Sequence, residues 1–139
     1  MILIDSSGLL AAIDSNQRGY KSASRALKAA DPPFLLSPFV LAELTYFLSV
    51  RVGPHAEIAL LQEVADGVYQ LEPFGRDDVA AALELVERYQ DIALGLADAS
   101  IVVLAERHAV STVLTLDERH FRSVRTSAGR QFRLLPADS

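Results

Sequence analysis

Apolar and polar positions change period repeatedly along the 139 residues. Met1 to Ile4 is an unbroken apolar run, the pattern of a strand buried on both faces. "SSGLLAAID" follows and reads as a helix, with Ser6 or Ser7 as its N-cap. A second helix is expected over about residues 20–30, where Asp31-Pro32-Pro33 stops it. Phe34 to Ser37 is a short strand. Ser37-Pro38 supplies an N-cap and a proline at the first helical position. The helix "PFVLAELTYFLSVRV" should run from there until Gly53 ends it. Pro54 to Gly67 reads as another helix, and the alternation of Val68 to Phe74 as a strand. Arg76 to Gln90 is a helix, and "GLADASIVVLAERHA" a largely apolar, buried one. "STVLTL" is a strand, "DERHF" a helical turn and "FRLLP" a final strand.

Strands and helices alternate from end to end, which implies an α/β domain with a mostly parallel sheet and helices on both faces. The length suits one domain spanning residues 1–139, and no repeat or linker divides it. Half the residues are apolar, so the chain is globular and not disordered. The absence of cysteine excludes a disulfide framework and thiolate metal sites, and suits a reducing compartment. The first residues lack the basic segment of a signal peptide, and no apolar run reaches the ~18 residues of a membrane span. The expectation is a soluble, cytoplasmic protein without membrane contact.

A net charge of −5 argues against a generic nucleic-acid binder. The charges are nevertheless unevenly spread. Arg18, Lys21, Arg25 and Lys28 form an early basic segment; Arg119, Arg122, Arg125, Arg130 and Arg133 form a late one. Taken singly, each reads as ordinary solvated charge.

Four acids stand out by their surroundings. Asp5 directly follows the first strand, and Asp117 directly follows "STVLTL". Both belong at the C-terminal edge of the sheet, where sites of such folds gather. Glu43 lies among apolar neighbours in "VLAELTYFL". Asp98 interrupts the otherwise uncharged "IALGLADASIVVLA", near a helix start that favours an anion. Each has a structural reading: Asp5 a turn or cap, Glu43 an arginine partner, Asp98 a helix cap, Asp117 a cap of the "DERHF" turn. Brought together, they would raise one another's pKa. A hard divalent cation, Mg²⁺ or Mn²⁺, resolves that conflict and can activate water for in-line phosphoryl displacement. The histidines His55, His108 and His120 match no metal motif. His120 reads as a surface or packing residue that lies near Asp117, and Asp91 as a loop or capping residue.

The stretches "MILIDSSGLLA", "LSPFVLAELTY", "YQDIALGLADASIVVLAER" and "TLDERHF" resemble, in order, the motifs of the PIN-domain family, and more narrowly its VapC-type toxins of bacterial toxin–antitoxin pairs. The resemblance implies a three-layer α/β/α sandwich. It implies a Mg²⁺- or Mn²⁺-dependent endoribonuclease with the acidic quartet Asp5, Glu43, Asp98 and Asp117. Asp5 and Asp98 would ligate the metal, with Glu43 and Asp117 acting through water, supported by Ser6 and Thr115. Some relatives carry a further acid two residues after the fourth one; here Arg119 stands there. The resemblance also implies a cognate antitoxin seated on the apolar helices after Ser37, a homodimer and a higher toxin–antitoxin assembly. The basic segments, with Arg119, Arg122 and Arg125 foremost, are candidates for RNA contacts.

Three alternatives deserve weight. A haloacid-dehalogenase-type phosphatase also begins with a strand ending in aspartate, but requires an acid two residues on, where Ser7 stands. A non-catalytic PIN-like binding module would not need all four acids. A receiver-like signalling domain would want a late lysine, and none follows Lys28.

Overall fold

The computed structural model describes all residues, 1–139. Five short strands form one sheet: β1 (Ile2–Ile4), β2 (Phe34–Leu36), β3 (Gln70–Leu71), β4 (Thr112–Leu114) and β5 (Arg133–Leu135). Their order is β3-β2-β1-β4-β5, and every pairing is parallel. Seven helices connect them: α1 (Ser6–Ile13), α2 (Tyr20–Ala29), α3 (Pro38–Arg51), α4 (Pro54–Ala65), α5 (Arg76–Arg88), α6 (Leu96–His108) and α7 (Glu118–Ser123).

The chain steps outward from β1 to β2 to β3, then returns to the other side of β1 for β4 and β5. Right-handed crossovers then put α1–α4 on one face and α5–α7 on the other. Packing agrees, since α1 lies against α2 and α3, α3 against α4, and α5 against α6. The result is the expected α/β/α sandwich, with a sheet that is wholly parallel. Strand order reverses beside β1, so a crevice opens between the C-terminal ends of β1 and β4.

The apolar runs explain the layers. Leu3, Ile4, Leu35, Leu36, Val113, Leu114 and Leu134 are fully buried, as strands covered on both faces require. Ala99 to Ala105 of α6 are buried without interruption. The strands are shorter than their hydrophobic patterns. Of Val68 to Phe74 only Gln70–Leu71 forms a strand, because β3 is an edge paired on one side and Pro73 has no N–H to give. Asp5, not Ser6 or Ser7, occupies the N-cap position of α1, and its side chain makes no cap bond.

One close approach fixes α1 on the sheet. A Cβ on Gly8 would stand 2.2 Å from the Leu114 carbonyl oxygen and 2.7 Å from Thr115 N. Gly8→Ala must therefore push α1 off β4. We expect a loss of about 1–3 kcal/mol, read as a lower urea midpoint at unchanged slope. An unchanged midpoint would mean that α1 does not lie so near β4.

Candidate active site

The end of β1 carries Asp5, only 3 % exposed. Two hydroxyls meet its Oδ2: Ser7 donates at 2.6 Å and Thr115 at 2.7 Å. Each hydroxyl has one hydrogen, so each must accept its other bonds. Ser7 Oγ accepts from Leu116 N at 3.0 Å and Thr115 Oγ1 from Asp117 N at 2.9 Å. The 3.2 Å approach of Ser7 to Thr115 is then a contact of two committed hydroxyls and not a third hydrogen bond. Oδ1 receives no side-chain donor.

Ser6, the expected supporting residue, points elsewhere and donates to Glu43 Oε1. Ser7 holds Asp5 beside Thr115. Sequence reasoning missed Ser7 because only the phase of α1 decides which of two adjacent serines turns inward. Glu43 has no arginine partner, and it is exposed although its neighbours in sequence are apolar. Helix α3 buries only Val40, Leu44 and Leu48, one narrow stripe, and Glu43 lies off it.

Asp98 is the third residue of α6, after the N-cap Gly95. It caps nothing. Its one polar partner is His120 Nδ1, at 3.3 Å. Helices α3 and α6 are joined by a chain of hydroxyls that sets Glu43 and Asp98 in place. Phe39 N donates to Ser37 Oγ at 3.1 Å, and Ser100 Oγ donates to Ala97 O at 2.6 Å. Ser37 must therefore donate to Ser100, across 2.6 Å.

Asp117 does cap α7, accepting from His120 N at 3.1 Å. Its Oδ2 also meets His120 Nδ1 at 2.6 Å. His120, read from the sequence as a surface or packing residue near Asp117, is partly buried and meets both Asp117 and Asp98. Its Nε2 donates to the Ile92 carbonyl at 2.7 Å. Both ring nitrogens face acceptors alone.

All four acids line one cleft of about 320 Å³, together with Ser6, Ser7, Phe47, Gly95, Leu96 and Ala97. No lysine or arginine lines it. Burial, then repulsion by Asp5, pushes Asp98 up to about 7; His120 pulls it back, while Asp117 and Glu43 add to the rise. Burial also raises Asp5, against the hydrogen bonds of Ser7, Thr115 and the Ser6 backbone. Burial pulls His120 down, but its bonds to Asp117 and Ile92 and the charges of Asp117 and Asp98 more than offset this and leave it raised. Such a set of oxygen donors suits a hard divalent cation. The carboxylates of Asp98 and Asp117 lie within 4.8 Å of each other, and both nitrogens of His120 are taken up by acceptors.

The other candidates lie outside the cleft. Arg119 is exposed in the first turn of α7. Arg122 grips Asp138 at 2.7 and 2.8 Å and Glu118 at 3.0 Å. Arg125 donates to the carbonyls of Arg122 and Val124. His108 pairs with buried Glu72, which Arg107 also meets at 3.3 Å, so it fastens α6 to the end of β3. His55 is exposed on α4, and Asp91 is exposed in the 3₁₀ turn Gln90–Ile92.

The PIN domain family model matches residues 2–126. The ribonuclease VapC26 of Mycobacterium tuberculosis is 39 % identical over 135 residues, which span 97 % of this chain and 100 % of that relative. Among solved structures, the fold matches VapC20 of M. tuberculosis, a sarcin-ricin-loop-cleaving toxin, with a TM-score of 0.80 at 21 % identity. That match covers 86 % of this chain and 92 % of the other. A toxin–antitoxin complex from Klebsiella pneumoniae matches with a TM-score of 0.69 at 20 % identity, over 89 % and 92 % of the two chains.

The electrostatics set the pH dependence of the metal-free protein. Asp5 and Asp98 are carboxylates whose pKa values rise on folding, so ionising them costs stability as pH climbs, for Asp98 from 3.8 up to about 7. His120 is a base raised above 6.5, so its contribution is complete below that value and is lost at higher pH. The signs agree. In EDTA, unfolding free energy should fall between about pH 5 and pH 8. Asp98→Asn should flatten the fall and at pH 8 exceed wild type by about 1–3 kcal/mol. Added Mn²⁺ should raise the melting temperature of wild type more than that of the variant. A variant clearly less stable than wild type in EDTA at pH 8 would make Asp98 a structural residue.

Proposed function

This chain belongs to the PIN domain family, and from that premise we propose that it is a metal-dependent endoribonuclease, the toxin of a toxin–antitoxin pair. One observation carries the reading: four carboxylates share a cleft with no lysine or arginine in its lining. The similarity to a ribonuclease over nearly the whole chain supports the same activity. A haloacid-dehalogenase-type phosphatase is disfavoured, because Ser7 stands where that chemistry needs an acid.

Asp5 and Asp98 would hold Mg²⁺ or Mn²⁺ directly, with Glu43 and Asp117 acting through water. When bound, the ion supplies Lewis acidity and a water activated to attack a phosphodiester. The chain supplies the rest. Ser7 and Thr115 fix one oxygen of Asp5 and leave the other unengaged by side chains. Ser6 steadies Glu43, and His120 restrains Asp117 and Asp98. Leu96 and Ala97 bring the N-terminal turn of α6 to the cleft, where unpaired N–H groups favour a phosphate.

The partner is a cognate antitoxin. Helices α3 and α4 leave Tyr46, Val50 and Ile58 more than 60 % exposed, with Leu61 and, between the two helices, Val52 also bare. So much apolar surface on one pair of helices marks a protein-binding face. A homodimer and a higher toxin–antitoxin assembly belong to the same reading, as does a cytoplasmic site of action. No helix is long and apolar enough to cross a membrane.

Purified protein should cut RNA in Mg²⁺ or Mn²⁺ and stop in EDTA. Ser7→Ala, which releases Asp5, should cost about 10- to 100-fold in rate or metal affinity; Asp5→Asn and Asp98→Asn should cost more. Cutting that persists in EDTA, from protein shown free of contaminating nuclease, excludes the metal mechanism.

A further inference from the structure

Resting on that reading, we infer that helix α2 is the surface that grips the phosphate backbone of RNA beside the cleft. In a chain of net charge −5, Ser15 to Ala30 holds four cations, Arg18, Lys21, Arg25 and Lys28, and no acid. Lys21, Arg25 and Lys28 recur at helical spacing, so they share one face of α2. All three are exposed, and none makes an ion pair. Arg122 of the late basic segment differs, since its guanidinium is held by two carboxylates.

A shallow depression runs along this face, lined by Tyr20, Lys21, Ser24, Arg25, Lys28 and Ala29. Ser24 is only 8 % exposed. Its hydroxyl is absent from every hydrogen bond of the protein, unlike the hydroxyl of neighbouring Ser22, which donates to Gly19 O. The Ser24 hydroxyl is open to solvent, since no buried side-chain oxygen or nitrogen lacks a partner. Beside three free cations, it is available to donate to an anionic oxygen. Tyr20 adds a ring on which a base can stack.

Position makes the anion a nucleic-acid phosphate. Gly19, just before α2, lies against Leu116, and a methyl there would meet Leu116 Cδ1 at 3.3 Å. Leu116 in turn donates its N–H to Ser7 and precedes Asp117. The start of α2 therefore adjoins the acidic cleft, and the cations lead away from it. Lys21 to Lys28 spans roughly 10 Å at 1.5 Å per residue. Long side chains spread over that length can reach successive phosphates of one strand.

The test uses the full chain with Asp5→Asn to prevent cleavage, in EDTA, with a fluorescent RNA and KCl from 50 to 200 mM. Adding Lys21→Gln, Arg25→Gln and Lys28→Gln should weaken binding at least tenfold at low salt. The slope of log affinity against log salt should become shallower by about 2, at about 0.7 per lost single-strand contact. Removing exposed charge elsewhere, by Arg76→Gln and Arg88→Gln on α5, should leave the slope unchanged. With Asp5 intact, the triple variant should cut long RNA with a higher KM and an unaltered kcat. An unchanged slope in the triple variant overturns the inference, and so does an equal loss in the α5 variant. If wild type cuts RNA but the Asp5→Asn protein binds none, α2 does not grip it and the inference is equally overturned. If wild type neither cuts nor binds RNA, the proposed function itself fails.

Discussion

A carboxylate buried to 3 % exposure at the tip of β1 needs donors that also leave it able to act. Asp5 finds them in two hydroxyls, and their geometry dictates much of the structure. Ser7 comes from the first turn of α1 and Thr115 from the end of β4. Both can reach Oδ2 only if the two strands stay in register, Leu3 beside Val113 and Ile4 beside Leu114. Both can give their hydrogens to Asp5 because the backbone beyond β4, at Leu116 and Asp117, donates to their oxygens. The same bonds lead the chain from Thr115 into Asp117. Gly8 then becomes a requirement, since α1 must lie on β4 closely enough for Ser7 to meet Leu116.

The remaining acids arrive on elements fastened independently. Glu43 and Asp98 ride on α3 and α6, which the Ser37–Ser100 bond ties together beneath the cleft. The arrangement works against folding, because each added carboxylate makes its neighbours harder to ionise. A domain's net stability is only about 5–15 kcal/mol. The repulsion is bearable because few groups carry it and an imidazole answers part of it. Activity and stability are opposed at this one point, a pattern expected of sites built for a charge that must come from outside.

Local signals carried much of the fold. Ser37-Pro38 announced the start of α3, and Ser37 Oγ does accept from Phe39 N. The runs "MILI" and "STVLTL" marked strands of a mostly parallel sheet, of which Ile2–Ile4 and Thr112–Leu114 form, and the acids that follow them marked the site. What escaped reading was non-local. The choice of Ser7 over Ser6 depends on the rotation of α1 against β4. Glu43 reads as buried from its neighbours in sequence, yet α3 covers the sheet with only every fourth residue. His120 gains its role from Asp98 and from a carbonyl 28 residues away, in a turn that carries no pattern of its own. Arg122 is engaged by Asp138, near the end of the chain, which no helical spacing connects to it.

Net charge is the property that misleads most here. A value of −5 speaks against a polyanion as partner only where the whole charge is felt at once. At physiological ionic strength charges separated by more than about 8 Å are largely screened. A nucleic acid near this surface therefore meets local groups, not their sum. At the cleft it meets the first turn of α6 and carboxylates whose charge a cation must balance. One residue past Leu116 and Gly19 it meets α2, where three cations stand without an acid in the helix. Acids and cations are kept on separate elements, so they do not neutralise one another. Had Lys21 or Arg25 stood within reach of Asp117 or Glu43, it would have occupied the carboxylates as an internal ion pair, in competition with any metal. The separation keeps the cleft negative enough to take up a cation, and leaves positive charge within a turn or two of helix from it.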